Sequence, residues 1–203
     1  MGNLLYQLFT GKHYKHIIMT QTYQYKLFDS AFAELGELLL SELTWLDTAY
    51  GKAVTLHHKL TDNRDIKYPA YYHQDKEYLS MLPAESYGNY CFFILSDPIS
   101  TIEAVKRQPL KLQADISIIF WADMSSIQDN NLDIKSELES DVLEALNTLH
   151  MEDSRITINT LYETPERAWS GYNLDEVNAK YFMYPYTSFR IDCELIIKQN
   201  CYA

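Results

Sequence analysis

Over residues 110–122 apolar and polar positions alternate. Leu110, Leu112, Ala114, Ile116, Ile118, Phe120 and Ala122 fall on one face of an extended chain, and Lys111, Gln113, Asp115, Ser117 and Asp123 on the other. This predicts a long, half-buried, central strand. Past a short acidic linker the period becomes helical, with Ile134, Leu138, Val142, Ala145, Leu146 and Leu149 forming one stripe of a helix over residues 132–149. The stripe and the apolar strand face are natural partners, and together they predict the core of one domain.

The same reading extends along the chain. Residues 1–20 show no sustained period and read as an N-terminal arm that needs a partner to order. From there Tyr25, Phe28, Phe32, Leu35, Leu39, Leu43 and Leu46 recur at helical spacing, predicting a long helix whose end Gly51 punctuates. Residues 53–56 suit a short strand. Residues 61–89, with Pro69, Pro83 and Tyr68, Tyr71, Tyr72, Tyr78 and Tyr87, keep neither period and read as a long loop. Residues 90–96 are apolar on both faces, as an interior strand is, and residues 100–108 suggest a turn or one helical turn. Residues 155–163 alternate as a strand, and residues 164–186 form an aromatic loop with a short helix near 175–181. Residues 189–198 close the chain as a strand with Phe189, Ile191, Cys193, Leu195 and Ile197 facing inward. The expected class is α+β: a mainly antiparallel sheet packed against two main helices, in a single domain over residues 21–203.

A chain of 203 residues is long enough to bury one good core. Its net charge of -11 argues against a nucleic-acid-binding surface, which needs clustered Lys and Arg. Cys91, Cys193 and Cys201 lack the spacing of a zinc site or disulfide framework, so a reducing compartment is expected. No apolar run approaches the roughly 20 residues that span a bilayer, and Tyr6 stands where a myristoylation motif after Gly2 wants Ser or Thr. No membrane association is expected. Seventeen tyrosines are many, and tyrosine suits contact surfaces because it covers area at low entropic cost.

Candidate chemistry is sparse. His57, His58 and His73 with Asp62 and Asp65 are the densest group of metal-ligand types, yet adjacent histidines on an extended chain point to opposite faces. Asp129, Asn131 and Asp133 start like a calcium loop, but Ile134 stands at the glycine position and Ser140 at the bidentate Glu position. Ser170-Gly171 is half a nucleophile elbow, and there is no phosphate-binding glycine loop. No cofactor, metal or catalytic residue is assigned. Between Asp123 and Asp153 nine acids face one base, Lys135. That run reads as a solvated helix face, or as the lining of a passage through which a polyanion moves without sticking.

The order of these elements resembles that of the tail-terminator, tail-completion and head-to-tail ring proteins of tailed bacteriophages. It rests on a long first helix, the alternating strand, the acidic helix, RITINTLYE, the aromatic excursion and the closing SFRIDCELIIK, over residues 25–198. The Tyr-, Asn- and Ile-rich texture resembles that of crAss-like phages. The resemblance implies a non-enzymatic virion protein in the neck or tail, assembled in the host cytoplasm as a homo-oligomeric ring. Its partners would be copies of itself and portal, connector and tail proteins, with genomic DNA passing unbound through the channel. Interfaces are then expected at Leu4, Leu5, Tyr6 and Tyr14 in the arm, at Tyr68, Tyr71, Tyr72 and Tyr78, and at Trp169, Tyr172, Tyr184 and Tyr186. Glu137, Asp141 and Glu144 become the channel-facing candidates. The competing readings are a small bacterial enzyme, with the three histidines as its starting points, or an interaction module of another assembly.

Overall fold

The computed structural model describes residues 16–18, 26–59, 65–72, 77–96, 98–102, 110–127 and 134–199. In chain order they form β1 (His16–Ile18), α1 (Lys26–Glu42), β2 (Thr48–Lys59), β3 (Asp65–Tyr72), β4 (Tyr78–Ser80), β5 (Tyr90–Leu95) and β6 (Ser100–Ile102). There follow β7 (Leu110–Asp123), α2 (Ile134–Thr148), β8 (Ser154–Tyr162), the single turn α3 (Pro165–Ala168) and β9 (Tyr186–Gln199). Three 3-10 turns, Glu85–Tyr87, Met124–Ser126 and Ala179–Phe182, complete the set.

The nine strands make one open sheet in the order β4-β3-β2-β5-β7-β9-β8, with β1 beside β2 and β6 beside β7. β1–β2 and β2–β5 run parallel and every other pair antiparallel. The class is α+β, and the alternating stretch is the central strand. β7 pairs with β9 from Leu110–Gln199 to Asp123–Tyr186 on one side and with β5 and β6 on the other.

The helix layer forms as the periodicity demands. Phe28, Phe32, Leu35 and Leu39 of α1 and Ile134, Leu138, Val142, Ala145 and Leu146 of α2 are buried in one core. They meet Ala114, Ile116, Ile118, Phe120 and Ala122 of β7 and Phe189, Ile191, Cys193, Leu195 and Ile197 of β9. Phe120 stacks on Phe189 at 4.9 Å and Phe32 on Phe93 at 5.1 Å. Burying each such side chain contributes about 1.5–3 kcal/mol, so the stripe outweighs any local propensity.

Several boundaries differ from expectation. α1 stops at Glu42: the chain turns through residues 43–47, yet Leu43 and Leu46 stay buried, so the apolar spacing outlasts the helix. Gly51 is not a cap. It lies inside β2, where a Cβ would stand 3.2 Å from the Tyr71 ring. The expected loop over 61–89 contains β3 and β4. Pro69 is tolerated in β3 because it sits opposite Thr55 of β2 while pairing with β4 spans only Ala70 to Tyr72, so one side demands no N–H there. Ser100–Ile102 is a strand instead of a turn, and the short helix near 175–181 is replaced by α3 and the 3-10 turn Ala179–Phe182.

A second apolar cluster covers part of the opposite sheet face. Tyr90 and Phe92 of β5 and Ile119 and Trp121 of β7 pack there against Tyr50, Tyr71, Met81, Ala168 and Trp169. The aromatic segment after β8 therefore folds back over the sheet as a cover and does not stand away as a loop.

Candidate interaction surfaces

The aromatic residues expected at interfaces divide by burial. Trp169 is 1% exposed and its indole N–H donates to Ser188 Oγ at 3.0 Å; Tyr71 is 2% exposed with its ring 5.5 Å from that of Tyr50. Both belong to the second core, which corrects their expected placement at an interface. Tyr186 is half-buried and stacks on Trp121 at 5.2 Å, and Tyr172 is half-buried in the same cover. Tyr68 and Tyr72 are half-buried on β3, and Tyr72 meets Tyr78 edge-on at 5.1 Å. Among the described residues only Tyr184, at 83%, and Tyr78, at 53%, present large exposed rings, and Met183 extends the Tyr184 tip. Leu4, Leu5, Tyr6 and Tyr14 lie outside the described residues, as do His73, Asp62, Asp129, Asn131 and Asp133. His57 is exposed on β2; His58 continues that strand.

The cover is tied down by a polar contact that sequence reasoning missed. Glu85 accepts hydrogen bonds from Lys180 Nζ at 2.7 Å and from the Tyr186 hydroxyl at 2.6 Å. These two bonds hold the Glu85 carboxyl below its ordinary range, and the Glu85 bond pushes the Tyr186 phenol up to about 12. Lys180 also lies 4.8 Å from the Tyr181 ring centre. The pair is 95 residues apart along the chain, and no local pattern announces it.

Beyond the cover the outer sheet face is polar. Ser117 donates to Asp192 Oδ1 at 2.7 Å, and Arg190 pairs with Asp192 at 2.9 Å while its guanidinium sits 4.6 Å over the Tyr162 ring. Cys91 and Cys193 are buried free thiols, and burial pushes both above their ordinary value, so neither is poised as a thiolate nucleophile.

The helix layer is acidic outside. Glu137, Asp141 and Glu144 are exposed on α2, spaced three and four residues apart on one face. Glu34, midway along α1, accepts from the Glu152 amide at 2.7 Å, which ties the turn after α2 to α1. In contrast, β8 closes one margin of the sheet with uncharged residues apart from Arg155, and its Ile156, Ile158 and Leu161 are only half-buried against the main core.

No helix among the described residues is long and apolar enough to cross a membrane. In comparisons with known proteins, no family model matches the chain and no curated protein matches it.

Proposed function

We propose that this chain is a structural virion component, a homo-oligomeric ring in the neck or tail of a tailed phage that joins head-side to tail-side proteins around the DNA channel. The observation that carries the reading is the acidic outer face of α2, where Glu137, Asp141 and Glu144 are all exposed and no basic side chain shares their row. Such a face repels phosphate and lets a duplex pass without retention. The order of elements, similar to that of tail-terminator proteins, supports the same assignment. The exposed Tyr184–Met183 tip supplies apolar contact area of the kind that interfaces use.

Light scattering after size exclusion, with negative-stain imaging, tests it. Discrete rings, formed alone or on adding portal or tail partners, are expected. A chain that stays monomeric with those partners overturns the proposal.

A further inference from the structure

We infer that the outer edge of β8 is the docking site for the N-terminal segment of a second copy of this chain, which adds to the sheet as an extra strand. The inference rests on the ring proposed above and names the contact that joins its copies.

β8 is nine residues long and ends the sheet path. Its inner side pairs with β9 from Ser154–Ile197 to Tyr162–Arg190, and among the described residues no backbone group pairs with its outer side. A long edge of this kind is a template for another extended chain. β8 holds no proline and no lysine, the common edge protections, and its Ile156, Ile158 and Leu161 leave apolar surface partly open. An added strand would cover that surface and satisfy the free amides and carbonyls.

The occupant follows from what the chain carries ahead of β1. Fifteen residues precede His16, and within them Leu4, Tyr6 and Leu8 alternate with Leu5, Gln7 and Phe9. The first 28 residues hold three lysines and no acid, whereas all 28 Asp and Glu of the chain lie from Asp29 onward. A basic arm is steered toward an acidic body.

The arm cannot reach β8 of its own chain. β1 and β8 lie on opposite margins, separated by β2, β5, β7 and β9. Those five interstrand steps amount to about 24 Å. With residues 3–10 paired along β8, the six links from Thr10 to His16 span at most about 20 Å. The edge of one copy must therefore receive the arm of another. Because edge and arm are different surfaces on opposite margins, the contact is head-to-tail and closes into a ring where the rotation allows.

The test uses the full chain and a full-length variant, Leu4→Asp with Tyr6→Asp and Leu8→Asp, followed by light scattering and amide hydrogen exchange of residues 154–162. In the wild type those amides should exchange about tenfold slower or more as concentration rises and assemblies form. The variant should lose both the assembly and the protection while the amides of α1 and α2 stay protected, which shows that the fold is intact. Edge protection independent of concentration, or a variant that assembles as the wild type does, overturns the inference. Wild-type rings with a freely exchanging β8 also overturn it and leave the ring proposal standing. Open fibres with a protected, variant-sensitive edge support the inference and defeat the ring.

Discussion

Asn89 and Asp47 bond each other in both directions: the Asn89 amide donates to Asp47 Oδ2 at 2.8 Å, and the Asp47 amide donates to the Asn89 carbonyl at 2.9 Å. The Asn89 side chain extends the junction. Its Nδ2 donates to the Trp45 carbonyl at 3.0 Å and to Ser126 Oγ at 3.1 Å, and its Oδ1 accepts from the Asp123 amide at 2.7 Å. One buried amide thus joins the turn after α1, the start of β5 and the end of β7.

Asn89→Ala removes all three side-chain bonds and strands the Trp45 carbonyl and Asp123 amide. A loss of about 2–4 kcal/mol is expected. Urea unfolding should show a lower midpoint with an unchanged slope. A loss under about 1 kcal/mol would mean that water replaces the amide and that the junction is not rigid.

Gly88→Ala attacks the same junction from the backbone. Gly88 has φ of 65°, and a Cβ there would stand 2.7 Å from Asp47 Oδ2. The left-handed conformation and the displaced carboxylate together should cost about 1–3 kcal/mol. Asn89→Ala keeps the two backbone bonds to Asp47 and Gly88→Ala displaces that carboxylate, but both act on adjacent residues of one junction, so the double variant should depart from the sum of the singles in a mutant cycle.

The tyrosines around the second core set an alkaline limit. Burial pushes the Tyr50 phenol up to about 12, with Tyr87 and Tyr71 nearby adding to it, and burial raises Tyr87, Tyr90 and Tyr172 as well. Folded phenols hold their protons where unfolded ones ionise. Their contribution is therefore complete below the ordinary value of 10.0 and is lost as pH rises through the folded values. Ultraviolet titration should show one tyrosine class ionising normally and a second only with cooperative unfolding above pH ~10. A single smooth class would contradict the packing.

Much of this architecture was legible because hydrophobic period and burial coincide on β7, α2 and β9. The stripe of Ile134, Leu138, Val142, Ala145 and Leu146 is buried as spaced. What the period could not carry was the second core. Ile119 and Trp121 lie on the polar side of the alternation, and with Tyr90 and Phe92 of β5 they were the signal that this face is also covered. Tyr71 and Trp169 looked like contact residues because their covering partners arrive from distant segments. β3 was hidden by Pro69, whose missing N–H is harmless only in light of the pairing around it. Contacts such as Glu85 with Lys180 leave no local trace at all.

Charge reversal on α2 separates a channel lining from a merely solvated face. Glu137→Lys, Asp141→Lys and Glu144→Lys change exposed positions, so each should alter stability by no more than about 0.5 kcal/mol, slightly more at Glu137 in the first turn. If the face lines the channel, assembled variant rings should retain duplex DNA at ~50 mM salt and release it by ~200 mM. Phage carrying the variant should deliver genomes poorly. Variant rings that hold no DNA, with full infectivity, place α2 away from the channel.

Glu139 gives a pH-dependent readout of the same helix. It is 7% exposed, on the buried side of α2, with Lys135 Nζ 3.6 Å away and the Lys135 ammonium also bonded to the Glu163 carbonyl. Burial raises its carboxyl, Lys135 lowers it in part, and the Glu163 charge raises it again. The folded protein therefore takes up this proton at higher pH than the unfolded chain does, so the charged form is a net liability above the folded pKa. That liability fades as pH falls through the folded value and is gone below the unfolded 4.5. Glu139→Gln should accordingly be more stable than the wild type at neutral pH, with the gap closing toward pH ~4. Guanidinium unfolding of both proteins across that range measures the gap directly. A variant less stable at every pH would show that attraction to Lys135 outweighs the desolvation of the carboxylate.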